Sequence, residues 1–233
     1  AALELAVELA KQNDCDLVIG CDPDADRVGI AVKNLQGEMV LLNGNQTGAL
    51  LVHYILLMHK NNNSLPKNGF IAETVVTTDL IEKIGTSFGV TTKKCLTGFK
   101  WIAEIIRETE GQEVYIAGGE ESYGYLIGDF VRDKDAITSS VLIAEVAAWA
   151  KSKGSSFYYE LVKLYIEHGY YLERLISITK KGKAGLEDIQ KMIEGYRSNP
   201  PKELGGSKVT TIIDYKTGFA TDLISGKKSE TGL

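Results

Sequence analysis

Apolar positions along the chain switch repeatedly between an alternating or continuous pattern and a helical one. Leu3, Leu5, Val7 and Leu9 open an amphipathic helix over 1–12, and Leu17-Val18-Ile19-Gly20 is the apolar core of a buried strand over 15–21. Strands follow at 28–33 and 38–42 around an Asn34-Leu35-Gln36-Gly37 turn, then a helix over 46–60. The polar stretch 61–65 with Pro66 marks a domain boundary. Beyond it the pattern predicts strand 70–76, helix 79–88 capped by Thr78 or Asp79, strand 90–94, helix 100–109 and strand 113–117. That last strand delivers the turn Gly118-Gly119-Glu120, after which Asp135 should cap a buried helix over 136–151, followed by a helix over 155–168. From Tyr171 the pattern changes to strand 172–179, helix 184–197 and strand 208–214, with a polar, loop-like close over 225–233.

Strands separated by helices of this length imply β-α-β units with parallel pairing. The expected fold class is α/β: two α/β/α layered units with mixed, largely parallel sheets, plus the opening of a smaller α+β domain. The boundaries read as 1–65, 66–170 and 171–233. Neither internal repeats nor low-complexity tracts are visible. The chain starts without Met inside a helical pattern, so it is expected to be a piece of a longer protein.

With 233 residues, 44% of them hydrophobic and 24% charged, the chain can bury a real core. Net charge is −5, and the basic pairs Lys180-Lys181 and Lys227-Lys228 are too sparse for a nucleic-acid surface. The apolar runs 49–58 and 141–150 are too short to span a bilayer, so no membrane is expected as a partner. Cys15, Cys21 and Cys95 have no Cys-x-x-Cys spacing, which excludes a zinc site of that kind and fits a reducing, cytoplasmic location. His53, His59 and His168 are scattered and read as structural or surface residues.

The chemistry concentrates where the first strand ends. Asp22, Asp24 and Asp26 place three carboxylates within five residues, which repel unless a cation lies among them. Oxygen ligands of this hardness suit Mg²⁺. An EF-hand is excluded, because its required Gly and Glu positions hold Arg27 and Lys33. Two alternatives stay open: a solvated acidic turn, and a phosphatase in which Asp22 attacks phosphorus.

Asp22-Pro23-Asp24-Ala25-Asp26-Arg27 resembles the metal loop of the α-D-phosphohexomutases, the phosphoglucomutase/phosphomannomutase family. Leu96-Thr97-Gly98-Phe99-Lys100 is similar to that family's Thr-Gly-aromatic-Lys loop. Gly119-Glu120-Glu121-Ser122 resembles its Gly-Glu-x-Ser sugar loop, and Arg132-Asp133-Lys134-Asp135 its Arg-x-Lys-Asp element. Order and spacing together make the resemblance specific over nearly the whole chain. It implies an enzyme that interconverts hexose 1- and 6-phosphates through a phosphoserine and a bisphosphate intermediate.

On that resemblance Asp22, Asp24 and Asp26 bind Mg²⁺, and Arg27 balances their charge and orients the phosphoserine. Thr97, Gly98 and Lys100 read the sugar ring, with Gly98 permitting close backbone approach. Glu120 and Ser122 hold neighbouring hydroxyls, and Lys134 is the general base or a phosphate contact. The histidine that some members carry after the sugar loop is replaced by Tyr123-Gly124-Tyr125. Glucose 1-/6-phosphate is the first expected substrate, mannose phosphate the second and pentose phosphate the third. The chain has no Ser-His-Asn-Pro-like and no Arg-x-Ser-Gly-Thr segment. It therefore corresponds to the end of the family's domain 2, all of domain 3 and the start of domain 4, and alone should be inactive without those missing domains. A non-catalytic sugar-phosphate or metal-binding module is the rival from another functional class.

Overall fold

A computed structural model describes residues 2–233 and divides them into two compact units, one running to Glu173 and the other from Arg174 to Leu233.

The first unit opens with α1 (Glu4–Gln12), then the meander β1 (Leu17–Cys21), β2 (Val28–Lys33) and β3 (Met39–Leu42), paired antiparallel throughout. Alternation along these strands separates two faces. Val18 and Ala31 pack with Ala10 beneath α1, while Val28, Ile30, Val32 and Leu42 enter the main core. That second face is covered by α5 (Ala136–Ser152) and α6 (Phe157–His168), which return to it from late in the sequence. The expected boundary at 65/66 thus falls inside one compact unit.

Helix α2 (Gly44–Asn61) follows, two residues earlier than the apolar pattern marks it. Its start is fixed by polar residues: Asn43 Oδ1 accepts the Gln46 N–H at 2.9 Å, and Gln46 Oε1 accepts the Asn43 N–H at 3.0 Å. This reciprocal cap satisfies two orphan donors. Asn43→Ala should therefore lower the unfolding free energy by about 1 kcal/mol in a denaturant titration.

A mixed sheet in the order β5-β4-β6-β7 is built from β4 (Gly69–Thr74), β5 (Thr91–Cys95), β6 (Val114–Gly119) and β7 (Tyr125–Ile127). The first three are parallel and β7 is antiparallel to β6. Phe70, Ala72, Tyr115 and Leu126 face α4 (Phe99–Glu108), whereas Ile71, Ile116 and Tyr125 join the core shared with α2 and α3 (Leu80–Ser87). Both sheets are thus sandwiched between helices, as the α/β/α reading required. The first is antiparallel because its strands are joined by short loops with no crossover helix. Strand β7 escapes the pattern reading because three residues are too few to show a period.

Two local expectations need refinement. Thr78 Oγ1 accepts the Leu80 N–H at 3.3 Å, while the Asp79 carboxylate turns to Lys94 instead of capping α3. Helix α5 is capped by Asp135 as expected, but it is buried on one face only: Ile137 and Val141 are exposed.

The second unit contains α7 (Gly182–Ser198), the hairpin β8 (Glu203–Leu204)–β9 (Ser207–Lys208), and the antiparallel meander β10 (Thr211–Asp214), β11 (Phe219–Asp222), β12 (Lys228–Glu230). Arg197 Nε and Nη2 grip Asp214 at 2.9 and 3.2 Å, tying α7 to β10. Three expectations are corrected here. Residues 172–179 form no strand: Leu172, Leu175 and Ile176 are exposed, and no partner strand satisfies a ladder among the described residues. The strand placed at 208–214 breaks, since Val209 pairs back to Lys202 while Thr210 accepts from Leu223. The close is not all loop, because 228–230 pairs with β11.

Candidate active site

The acidic loop is the tip of the β1–β2 hairpin, not the strand-to-helix turn that an open parallel sheet would supply. Cys21 and Val28 are its last paired residues, and the Asp22 N–H donates to the Arg27 carbonyl at 3.2 Å. Asp22 Oδ1 accepts the N–H groups of Asp26 at 3.2 Å and Arg27 at 3.0 Å, and Oδ2 accepts Arg27 Nε at 2.7 Å. Ala25 completes the turn with φ of 56°. Desolvation works against ionising Asp22, but the Arg27 N–H and guanidinium outweigh it and bring its pKa down to about 2.

Asp22, Asp24 and Asp26 each turn a carboxylate oxygen into one cluster, within 4.8 Å of one another. Asp26 Oδ1 is buried without a hydrogen-bond donor, and Arg27 Nε lies 3.5 Å from it. Clustered hard oxygens, one of them orphaned, fit Mg²⁺.

The remaining expected residues come from three later loops, two of which meet this hairpin. The Val28 N–H donates to the Tyr123 carbonyl at 3.1 Å, so the 119–124 turn sits against the start of β2. The Ala136 N–H donates to the Ala25 carbonyl at 3.0 Å, bringing in the head of α5. Just before it, Lys134 reaches Asp26 Oδ2 at 2.9 Å and Asp133 Oδ1 at 3.6 Å. Desolvation opposes the Lys134 charge, yet Asp26, Asp133 and Glu120 together hold its pKa above the ordinary lysine value. Its ammonium is thus a donor at neutral pH.

Glu120 is buried and accepts the Gly98 N–H at 3.1 Å, joining the 96–100 loop to the 119–124 turn. Burial is the first cause of its raised pKa. Gly98 lies at φ 119°, outside the range comfortable for other residues. Thr97 and Lys100 are exposed, and the Lys100 ammonium lies 4.8 Å from the Trp101 ring centroid. Ser122 is half-buried beside Tyr123, which itself adopts a left-handed φ of 71°.

Two positioning features went unread in the sequence. A β-carbon on Gly124 would lie 2.1 Å from Lys134 Cδ, so the lysine stem crosses the turn only because Gly124 has no side chain. This is a physical reason for Gly after Tyr123, and the adjacency of Gly124 to the Gly119-Glu120-Glu121-Ser122 motif was the available signal. A β-carbon on Gly44 would lie 1.9 Å from the Glu121 carbonyl oxygen, so the head of α2 abuts the same turn.

A second acidic cluster, Glu73, Asp79 and Glu82, lies at the end of β4. Lys94 Nζ fills it, at 3.5, 2.6 and 2.9 Å from the three carboxylates respectively. His53 packs edge-on against Phe88, and His59 Nδ1 meets Ser64. No helix among the described residues is long and apolar enough to cross a membrane.

Comparison with known proteins shows the family. The family described as phosphoglucomutase/phosphomannomutase, alpha/beta/alpha domain III, matches residues 43–165, and the corresponding domain II matches residues 1–37. Phosphoglucomutase of Staphylococcus epidermidis is 39% identical over 232 residues, covering 100% of this chain and 42% of that protein. Phosphoglucomutase of Staphylococcus aureus is 39% identical over 216 residues, covering 93% of this chain and 38% of that protein. The chain therefore spans less than half the length of these curated relatives. Among solved structures, the Paramecium phosphoglucomutase parafusin in its open form aligns with a TM-score of 0.60 at 19% identity, over 98% of this chain and 38% of that one. A Thermus thermophilus phosphomannomutase described as putative aligns with a TM-score of 0.56 at 22% identity, over 72% and 34%. The chain belongs to the phosphoglucomutase/phosphomannomutase family, and the matched spans join its domains II and III.

Proposed function

We propose that this chain is the metal- and sugar-binding part of a hexose-phosphate mutase, working in the cytoplasm, that moves phosphate between the 1- and 6-positions through a phosphoserine enzyme and a bisphosphate intermediate. The observation that carries the reading is the position of Lys134, which reaches Asp26 at 2.9 Å while its stem passes over Gly124 in the turn bearing Glu120 and Ser122. A phosphoryl donor and a sugar must meet in such a site, and here the two sets of groups share one lysine.

In this reading Asp22, Asp24 and Asp26 hold Mg²⁺, which when bound stabilises charge on the transferring phosphoryl group. Arg27 limits the negative charge of the loop and orients the phosphoserine. Glu120 spends one carboxylate oxygen on Gly98, leaving the other to accept from a sugar hydroxyl, and Ser122 engages the neighbouring one. Thr97, Gly98 and Lys100 border the sugar from the adjoining loop. Lys134 contacts the phosphate or exchanges a proton with the reacting hydroxyl. Glucose phosphate is the first substrate and mannose phosphate the second.

The isolated chain should show no turnover of glucose 1-phosphate in a coupled assay, since it carries no serine or distal-phosphate segment. Grafted in place of the matching region of the S. epidermidis enzyme, it should support glucose 1- to 6-phosphate conversion. In that graft Asp24→Asn should reduce the rate at least about a hundredfold. A folded graft with full activity after Asp24→Asn would overturn the assignment.

A further inference from the structure

The Lys134 ammonium stands where it competes with a metal ion. It lies 2.9 Å from Asp26 Oδ2, on the same carboxylate whose Oδ1 is buried and without a donor. Its stem passes over the bare Cα of Gly124, and the Phe99 ring centroid lies 5.8 Å from Nζ. Rotation about the terminal bonds of that stem would carry the ammonium off Asp26. Three carboxylates against the Arg27 and Lys134 cations leave one net negative charge in the loop. A divalent ion entering with both cations in place would make the loop net positive; with Lys134 gone it would be neutral. Arg27 is committed to Asp22, which accepts its Nε at 2.7 Å and its own N–H at 3.0 Å.

Resting on the metal-loop reading above, we infer that Lys134 is a displaceable counter-cation: a divalent ion takes its place on Asp26 and releases the ammonium toward the sugar-loop side. The carboxylates facing it there are Asp133, 3.6 Å away, and the buried Glu120. Loading the metal would thereby arm the sugar side with a free positive charge, the natural partner of an incoming phosphate. Lys134 acts in this as a positioning and coupling residue, a role that sequence spacing alone does not reveal.

The test is calorimetric titration of the 233-residue chain with MgCl₂ alone, on the wild type, Lys134→Met, Lys134→Arg and Asp24→Ala. Removing one cation beside the ligand set should tighten Mg²⁺ binding roughly tenfold in Lys134→Met. Lys134→Arg, which keeps the charge, should stay within about twofold of the wild type. Mass-spectrometric footprinting with an amine-acylating reagent supplies a second reading. Labelling of Lys134 should rise severalfold on adding Mg²⁺ in the wild type, and not at all in Asp24→Ala. If the wild type binds Mg²⁺, Asp24→Ala does not, and Lys134→Met binds no more tightly than the wild type, the exchange is wrong while the metal loop stands. Unchanged Lys134 labelling on Mg²⁺ binding would likewise overturn the exchange. If no folded variant binds Mg²⁺ at millimolar concentration, the metal-loop reading falls and takes the exchange with it.

Discussion

Between about pH 5 and pH 8, the wild-type chain should lose several kcal/mol of stability that a Glu73→Gln variant keeps. Glu73, next to the last residue of β4, has a side chain that is 0% exposed, and neither of its oxygens accepts a hydrogen bond. Burial pushes its pKa up to about 8, and the fields of Asp79 and Glu82 add to this against the pull of Lys94. The sign follows from linkage. The folded state keeps the Glu73 proton while the unfolded chain releases it near pH 4.5, so each pH unit in between costs about 1.4 kcal/mol. Stability is fully present below the unfolded value and falls as pH rises toward the folded one. Beyond about pH 8 both states are ionised and the loss levels off. An amide in place of the carboxyl has the same shape without the titration, so the difference between the two denaturation curves isolates Glu73 from every other group. Parallel pH profiles would show that Lys94 already keeps Glu73 ionised in the fold.

Glu73 also shows where sequence reading ends. The chemistry that lies within one loop was legible: Asp22, Asp24 and Asp26 announce their cluster by spacing, and Glu120 and Ser122 come with their own turn. Strands β1, β4 and β6 were legible because continuous apolar runs have few other uses, and Asp135 as a cap because it precedes a long helix. What depends on pairing partners was not. The stretch 172–179 reads as a strand, yet a strand is completed only by a neighbour, and a ladder cannot be inferred from one edge. The antiparallel hairpin that carries the acidic loop was hidden for the same reason, since apolar runs do not state their direction. The Lys134–Asp26 contact joins residues over a hundred positions apart, and only the return of α5 onto β1 and β2 brings them together. Motif resemblance supplied the candidate residues, and the tertiary fold shows which of them lie together.

The same substitution at two helical glycines should have opposite signs. Gly195 lies on the exposed side of α7 with nothing within 4 Å of a β-carbon, so Gly195→Ala should raise the stability of that helix by about 0.5–1 kcal/mol through propensity alone. Gly44 is the first residue of α2, where alanine has the same intrinsic advantage. There the new methyl would lie 1.9 Å from the Glu121 carbonyl oxygen, 2.6 Å from its carbon and 2.9 Å from the Tyr123 nitrogen. All three are backbone atoms, and the turn they belong to has little room to retreat. Tyr123 already carries a left-handed φ, its carbonyl is held by the Val28 N–H, and the Tyr125 hydroxyl donates to the Gly44 carbonyl at 2.8 Å. Overpacking against fixed backbone should outweigh propensity, so Gly44→Ala should destabilise the first unit by about 2–3 kcal/mol. Because the strain falls on residues 121–123, hydrogen exchange should quicken first at the Val28 and Gly98 amides, whose acceptors are Tyr123 and Glu120. Uniform loss of protection across the unit, with no early change at those two amides, would mean that the head of α2 does not brace the 119–124 turn.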